Sequence, residues 1–204
     1  MKKYIIEFIG TFFLVTTIGL TGNPLAIGIM LTILVYMGGH ISGAHYNPAV
    51  TISIFCKKLI DQKDAIKYII TQLAASLTAA ALVFNLNTDL MHVVPNSSYS
   101  LLQIILCEFI FTFLLVLVIL NVATNKKTEG NSYYGLAIGF TVMASAYCVG
   151  GISGGAFNPA VAFGPAILDA ISGNGNDINN IWIYIIGPIL GGYLAFIIDK
   201  YLNN

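Results

Sequence analysis

Two copies of one eleven-residue pattern constrain this chain more than any other feature. They are His40-Ile41-Ser42-Gly43-Ala44-His45-Tyr46-Asn47-Pro48-Ala49-Val50 and Gly151-Ile152-Ser153-Gly154-Gly155-Ala156-Phe157-Asn158-Pro159-Ala160-Val161. In each, Asn-Pro-Ala is a helix start: asparagine caps free backbone N–H groups, and proline suits the first turn, where its missing N–H costs nothing. The apolar stretches that follow, Pro48 to Phe55 and Pro159 to Leu168, fall well short of the roughly 20 apolar residues a membrane-spanning helix needs. They read as half-membrane, re-entrant helices.

A second pair of copies gives the period. Glu7-Phe8-Ile9-Gly10-Thr11-Phe12-Phe13-Leu14-Val15 returns as Glu108-Phe109-Ile110-Phe111-Thr112-Phe113-Leu114-Leu115-Val116. Longer apolar runs predict spans near Tyr4 to Leu20, Pro24 to Met37, Ala65 to Phe84, Ser100 to Val122, Tyr133 to Val149 and Ile181 to Ile198. With 57% of residues hydrophobic and 9% charged, against roughly 25% charged in a soluble domain, lipid is the solvent that suits the chain. Three spans per half is an odd number, so the two copies of the pattern enter the membrane from opposite sides. That is an inverted repeat, in which both short helices can meet at the midplane. The fold class expected is an all-α membrane protein with six transmembrane helices and two re-entrant half-helices.

All nine positive residues are lysines: Lys2, Lys3, Lys57, Lys58, Lys63, Lys67, Lys126, Lys127 and Lys200. They alternate with connections that carry none, which places both termini in the cytoplasm. A basic start before an apolar run also fits a signal peptide, but Glu7 interrupts the run and no small-x-small site follows, so no cleavage is expected. Cys56, Cys107 and Cys148 are too scattered for a disulfide framework or a zinc site. No metal, cofactor or nucleic-acid partner is expected. Glycine pairs such as Gly135 with Gly139 and Gly187 with Gly191 suit close helix contact. Glu7 and Glu108 are ionisable groups inside apolar spans, which makes each a functional candidate, while His40 and His92 show no partner in the sequence.

The paired Asn-Pro-Ala motifs, with flanks Ser42 to Thr51 and Phe163-Gly164-Pro165-Ala166, resemble the aquaporin (major intrinsic protein) family along essentially the whole chain. The resemblance implies one channel domain, 1–204, with inverted repeats near 1–90 and 100–204. It also implies a homotetramer with a pore in each subunit, in a plasma or inner membrane. The motif residues Asn47, Pro48, Ala49, Asn158, Pro159 and Ala160 would then line the pore. Each half-helix aims about half a positive charge at its middle, and Gly43 to Tyr46 and Ser153 to Phe157 present carbonyl acceptors to water. Glu7, Glu108 and His45 would brace the re-entrant loops.

By the family's spacing, twenty residues before the first asparagine and twelve before, three before and three after the second, the outer selectivity filter falls on Ile27, Ala146, Gly155 and Val161. Water-selective members usually hold an aromatic, a histidine and an arginine there. This ring has none of them, and the chain has no arginine at all. Val161 resembles certain plant vacuolar aquaporins. Ala162 and Ala166 look water-type rather than glycerol-type, and Ile185, beside Trp182 and Tyr184, departs from the family's aromatic run.

The expected function is passive passage of water, with other small uncharged solutes as additional cargo. The alternatives are a channel mainly for glycerol, urea, ammonia or hydrogen peroxide, and a poorly conducting junction or scaffold protein whose apolar constriction dewets. An enzyme is disfavoured because no nucleophile, base and orienting group occur together. A coupled transporter is disfavoured because only the two glutamates could serve as an ion site.

Overall fold

The computed structural model describes residues 1–203, and among these the regular structure is entirely helical. In chain order the helices are α1 (Lys2–Thr21), α2 (Pro24–Ser42), α3 (Pro48–Cys56), α4 (Gln62–Asn87), α5 (Leu101–Ala123), α6 (Tyr134–Ser153), α7 (Pro159–Ser172) and α8 (Ile181–Asn203). Two 3₁₀ turns, Lys126–Thr128 and Asp177–Asn180, lie in the connections. Six of the helices are long and apolar enough to cross a bilayer, while α3 and α7 are the short pair.

Local chemistry sets the starts. The Asn23 Oδ1 accepts from the amides of Leu25 and Ala26 ahead of Pro24, Asp61 caps α4, and Ser100 with Gln103 forms a reciprocal capping box on α5. The ends run later than the apolar runs suggest. Helix α2 passes through Gly38 and Gly39 to Ser42, and α6 passes through Gly150 and Gly151 to Ser153. In lipid every backbone group needs a partner, so the helix continues until the loop begins, despite the roughly 1 kcal/mol cost of each glycine. Gly38 is kept for packing: a Cβ there would collide with the Tyr46 hydroxyl.

Within each half the first helix packs on the second and the fourth, α1 on α2 and α4, α5 on α6 and α8. The short helices cross over: α3 lies against α8, and α7 against α4. The halves also meet through α2 on α6, where a Cβ on Gly139 would strike the Gly28 carbonyl, and at the tips of α3 and α7. Outward faces carry exposed Ile33, Ile70, Leu102 and Leu190, as lipid contact requires. At the lysine-bearing end, Lys57 pairs with the buried Asp199 at 2.7 Å and Lys3 pairs with Asp64.

Candidate pore

Both re-entrant loops follow one backbone path. Gly43, Ala44 and Tyr46 have φ of 86°, 52° and 50°, and their counterparts Gly154, Gly155 and Phe157 have 90°, 64° and 49°. Left-handed conformations cost a non-glycine residue roughly 1–2 kcal/mol, so Ala44, Tyr46 and Phe157 need outside support. The glutamates give it. Glu7 Oε1 accepts from the Ser42 hydroxyl (2.7 Å) and the His45 amide (2.9 Å), and Oε2 from the Tyr46 amide and Gln72 Nε2, both at 2.8 Å. Glu108 Oε1 accepts from the Ser153 hydroxyl (2.7 Å) and the Ala156 amide (3.1 Å), and Oε2 from the Phe157 amide (2.7 Å). Both carboxyls are fully buried. His45 packs beside Glu7's loop, its Nδ1 3.1 Å from Thr51 Oγ1. Thr51 donates its one hydroxyl proton to the Asn47 carbonyl, so the histidine is the donor in that pair.

The loops deliver the asparagines to one another. Asn47 Oδ1 caps α3 at Ala49 and its Nδ2 donates across to the Phe157 carbonyl at 2.9 Å. Asn158 Oδ1 caps α7 at Ala160 and its Nδ2 donates to the Tyr46 carbonyl, also at 2.9 Å. A side-chain amide carries two N–H donors, so each retains one for the cavity that both asparagines line.

That cavity encloses about 660 Å³ and runs from Thr21, His92 and Gly151 past Asn47 and Asn158 to Val35 and Ile138. Ile27, Ala146, Gly155 and Val161 all line it on one side of the asparagines, with Ile27 and Val161 almost wholly buried. A second cavity, lined by His40, Gly43 and the loop Thr124 to Asn131, shares Val35, Ala44, Ile119 and Ile138 with the first.

The carbonyl acceptors are fewer than the sequence suggests. The Tyr46 and Phe157 carbonyls are taken by the asparagines, and those of Ser42 and Ser153 by the hydroxyls of Tyr68 (2.8 Å) and Tyr184 (2.6 Å). Those of Gly43, Ala44, His45, Gly154, Gly155 and Ala156 accept no protein hydrogen bond among the described residues. All six residues line one of the two cavities.

A sequence model of the family described as Major intrinsic protein matches residues 1–199. The chain belongs to the major intrinsic protein family. This major intrinsic protein is 36% identical to the "Glycerol uptake facilitator protein-like 6" of Lactiplantibacillus plantarum, over 96% of this chain and 95% of that one. It is 34% identical to Nodulin-26 of Glycine max, over 94% of this chain and 74% of the relative. It is 32% identical to Aquaporin AqpM of Methanothermobacter thermautotrophicus, over 100% and 98%. The aquaglyceroporin from Plasmodium falciparum superposes with a TM-score of 0.85, covering 98% of this chain and 96% of that one at 24% identity, which establishes the shared fold. Major intrinsic proteins are passive membrane channels and not enzymes, and this one is an integral, multi-pass member.

Several groups of this major intrinsic protein escape sequence reading. Gln72 holds the first loop from α4 and carries no repeat signature to flag it, whereas Tyr68 and Tyr184, which grip the ends of α2 and α6, recur only in the short match Tyr68-Ile69-Ile70 and Tyr184-Ile185-Ile186. His92, which shows no partner in the sequence, sits 2.7 Å from the carboxylate of Asp177, 85 residues on. Its signal would have been the paired placement of both residues in connections on the lysine-free side.

Proposed function

We propose that this major intrinsic protein conducts water together with uncharged solutes of about glycerol or urea size, one pore per subunit of a homotetramer. Both termini face the cytoplasm, and the host is a plasma or inner membrane. The observation that carries the reading is the wall of the cavity outside the asparagines, where Ile27, Ala146, Gly155 and Val161 bring neither an aromatic ring nor a fixed charge. Selection by size is weak in such a ring. Ions are still rejected, because the N-terminal ends of α3 and α7 aim positive dipole ends at the middle of the path, and an apolar mouth offers a cation no replacement for its hydration shell. Glu7, Glu108 and His45 act as loop braces, which leaves the two free asparagine N–H donors and the six free carbonyls to hand a solute along. The name of the bacterial relative, a glycerol uptake facilitator-like protein, agrees with a solute larger than water.

Proteoliposomes challenged with sucrose, glycerol or urea test the reading. Rapid shrinkage followed by re-swelling in glycerol or urea is expected. Shrinkage without re-entry would restrict the cargo to water, and control-level traces would favour a scaffold. Val161→Arg is expected to lower glycerol and urea permeability more than water permeability, by roughly tenfold in the ratio if the side chain costs the larger solute about 1.4 kcal/mol. An unchanged ratio would remove the outer ring from the account.

A further inference from the structure

Two neighbouring positions separate the half-helices in a way that involves the long helix beside each. Counted from Asn47 and Asn158, the sixth residue is Ser53 in α3 and Gly164 in α7, and the seventh is Ile54 in α3 and Pro165 in α7. In α3 the Ser53 hydroxyl bonds the Ala49 carbonyl at 2.8 Å, and Gly192 of α8 leaves room for it. In α7 the equivalent carbonyl, Ala160, receives its hydroxyl from outside. Ser76 of α4 donates to it and accepts from the Gly164 amide at 3.0 Å, while Gly164, lacking a side chain, lets the α4 backbone come close. Serine and glycine have thus changed places between the short helix and the long one beside it.

Pro165 gives the physical reason. It has no N–H, so the Val161 carbonyl loses its partner within α7, and the ring crowds that carbonyl, weakening the turn that carries Asn158 and Val161. Ile54 keeps its N–H, and α3 has no such weak turn. We infer that Ser76 is a positioning residue for conduction: its hydroxyl, gripping the Ala160 carbonyl and the Gly164 amide together, holds the first turn of α7 in aim where Pro165 has weakened it, and so keeps Asn158 and Val161 at their stations on the pore wall. Ser76 itself is buried and lies outside the residues lining the cavity.

The inference rests on the channel reading for its readout but on a coupling for its decision. Water and glycerol permeability are measured in proteoliposomes for the unaltered protein, Ser76→Ala, Pro165→Ala and the double variant, at matched protein content. Glycerol re-entry into vesicles of the unaltered protein judges the proposed solute range, whereas the interaction between positions 76 and 165 judges Ser76. Ser76→Ala is expected to change the glycerol-to-water ratio, or the water flux if glycerol does not pass, by roughly threefold, the effect of one lost buried hydrogen bond. In the Pro165→Ala background, where α7 regains its own N–H, the same change should have little effect. An unchanged flux in Ser76→Ala, or an equal change in both backgrounds, overturns the inference. Should Ser76→Ala not fold, adding Pro165→Ala must restore folded protein, and failure of both variants alike overturns it too.

Discussion

The first re-entrant loop is held by more polar groups than the second, although the two share one backbone course. Glu7 has Gln72 at its side, and the same amide reaches Thr51 at 3.0 Å, which in turn meets His45. At the matching places in the second half stand Ala156 for His45 and Ala162 for Thr51, and among the described residues Glu108 is answered only by Ser153 and the loop's own amides. Gln72 also has a buried Oε1 without a partner among the described residues. The two halves therefore reach equal geometry at the asparagines with unequal reserves. An inverted repeat fixes the course of the backbone and the group that braces it, but leaves each half free to surround that brace differently.

The largest expected effect comes from removing the braces. Glu7→Ala and Glu108→Ala each strip two backbone N–H donors of their acceptor, at about 1–3 kcal/mol per orphaned group. In the first half, Gln72 can turn its unpartnered oxygen toward one of them. Glu108→Ala is therefore expected to lose more folded protein than Glu7→Ala, by about the cost of one orphaned donor, measured as monodisperse material surviving a heating series in detergent. Glu7→Ala with Gln72→Ala should fall to the level of Glu108→Ala. Equal loss in the two single variants would mean that Gln72 is no reserve.

The backbone of this arrangement was legible in the sequence and its side-chain support was not. The repeated Asn-Pro-Ala segments and the repeated glutamates announce themselves because both copies keep the same residue at the same spacing. Gln72 and Ser76 belong to one half only, so no second copy marks them, and each acts through space across helices that the sequence does not orient. Glycine misled in a related way: Gly38 and Gly150 look like helix ends in a string of letters, yet the membrane's demand for paired backbone groups carries both helices onward. His92 needed Asp177, which lies in a connection whose path only the fold supplies.

A smaller effect is expected where the halves are equal. Asn47→Ala and Asn158→Ala each lose a helix cap, worth about 1 kcal/mol, and one bond between the two re-entrant loops, worth about 0.6 kcal/mol by the average for interhelical bonds in membranes. The bonds are reciprocal and of the same length, so the two variants should shift the thermal midpoint by similar amounts, smaller than the shift in either glutamate variant. A gap between the asparagine variants as wide as that between the glutamate variants would carry the asymmetry of the braces into the asparagine pair itself.

The smallest effect tests what His45 adds to the better-furnished half. Its ring makes two contacts that Ala156 cannot: the Nδ1 bond to Thr51 and an edge-to-face approach to Tyr68, with ring centroids 5.1 Å apart. Tyr68 in turn donates to the Ser42 carbonyl, the last of α2, so either contact could steady the loop. The bond predicts a coupling of about 0.6 kcal/mol between His45→Ala and Thr51→Val in a double-mutant cycle. The ring packing predicts a coupling of about 0.5–1.5 kcal/mol with Tyr68→Leu instead. Tyr184, which holds Ser153 in the same way without a histidine beside it, indicates that a tyrosine suffices for its carbonyl bond. The coupling is accordingly expected with Thr51, whose hydroxyl ties the loop to the first turn of α3 through the Asn47 carbonyl. A cycle that couples His45 to Tyr68 alone would make the histidine a packing residue and leave Thr51 to Gln72.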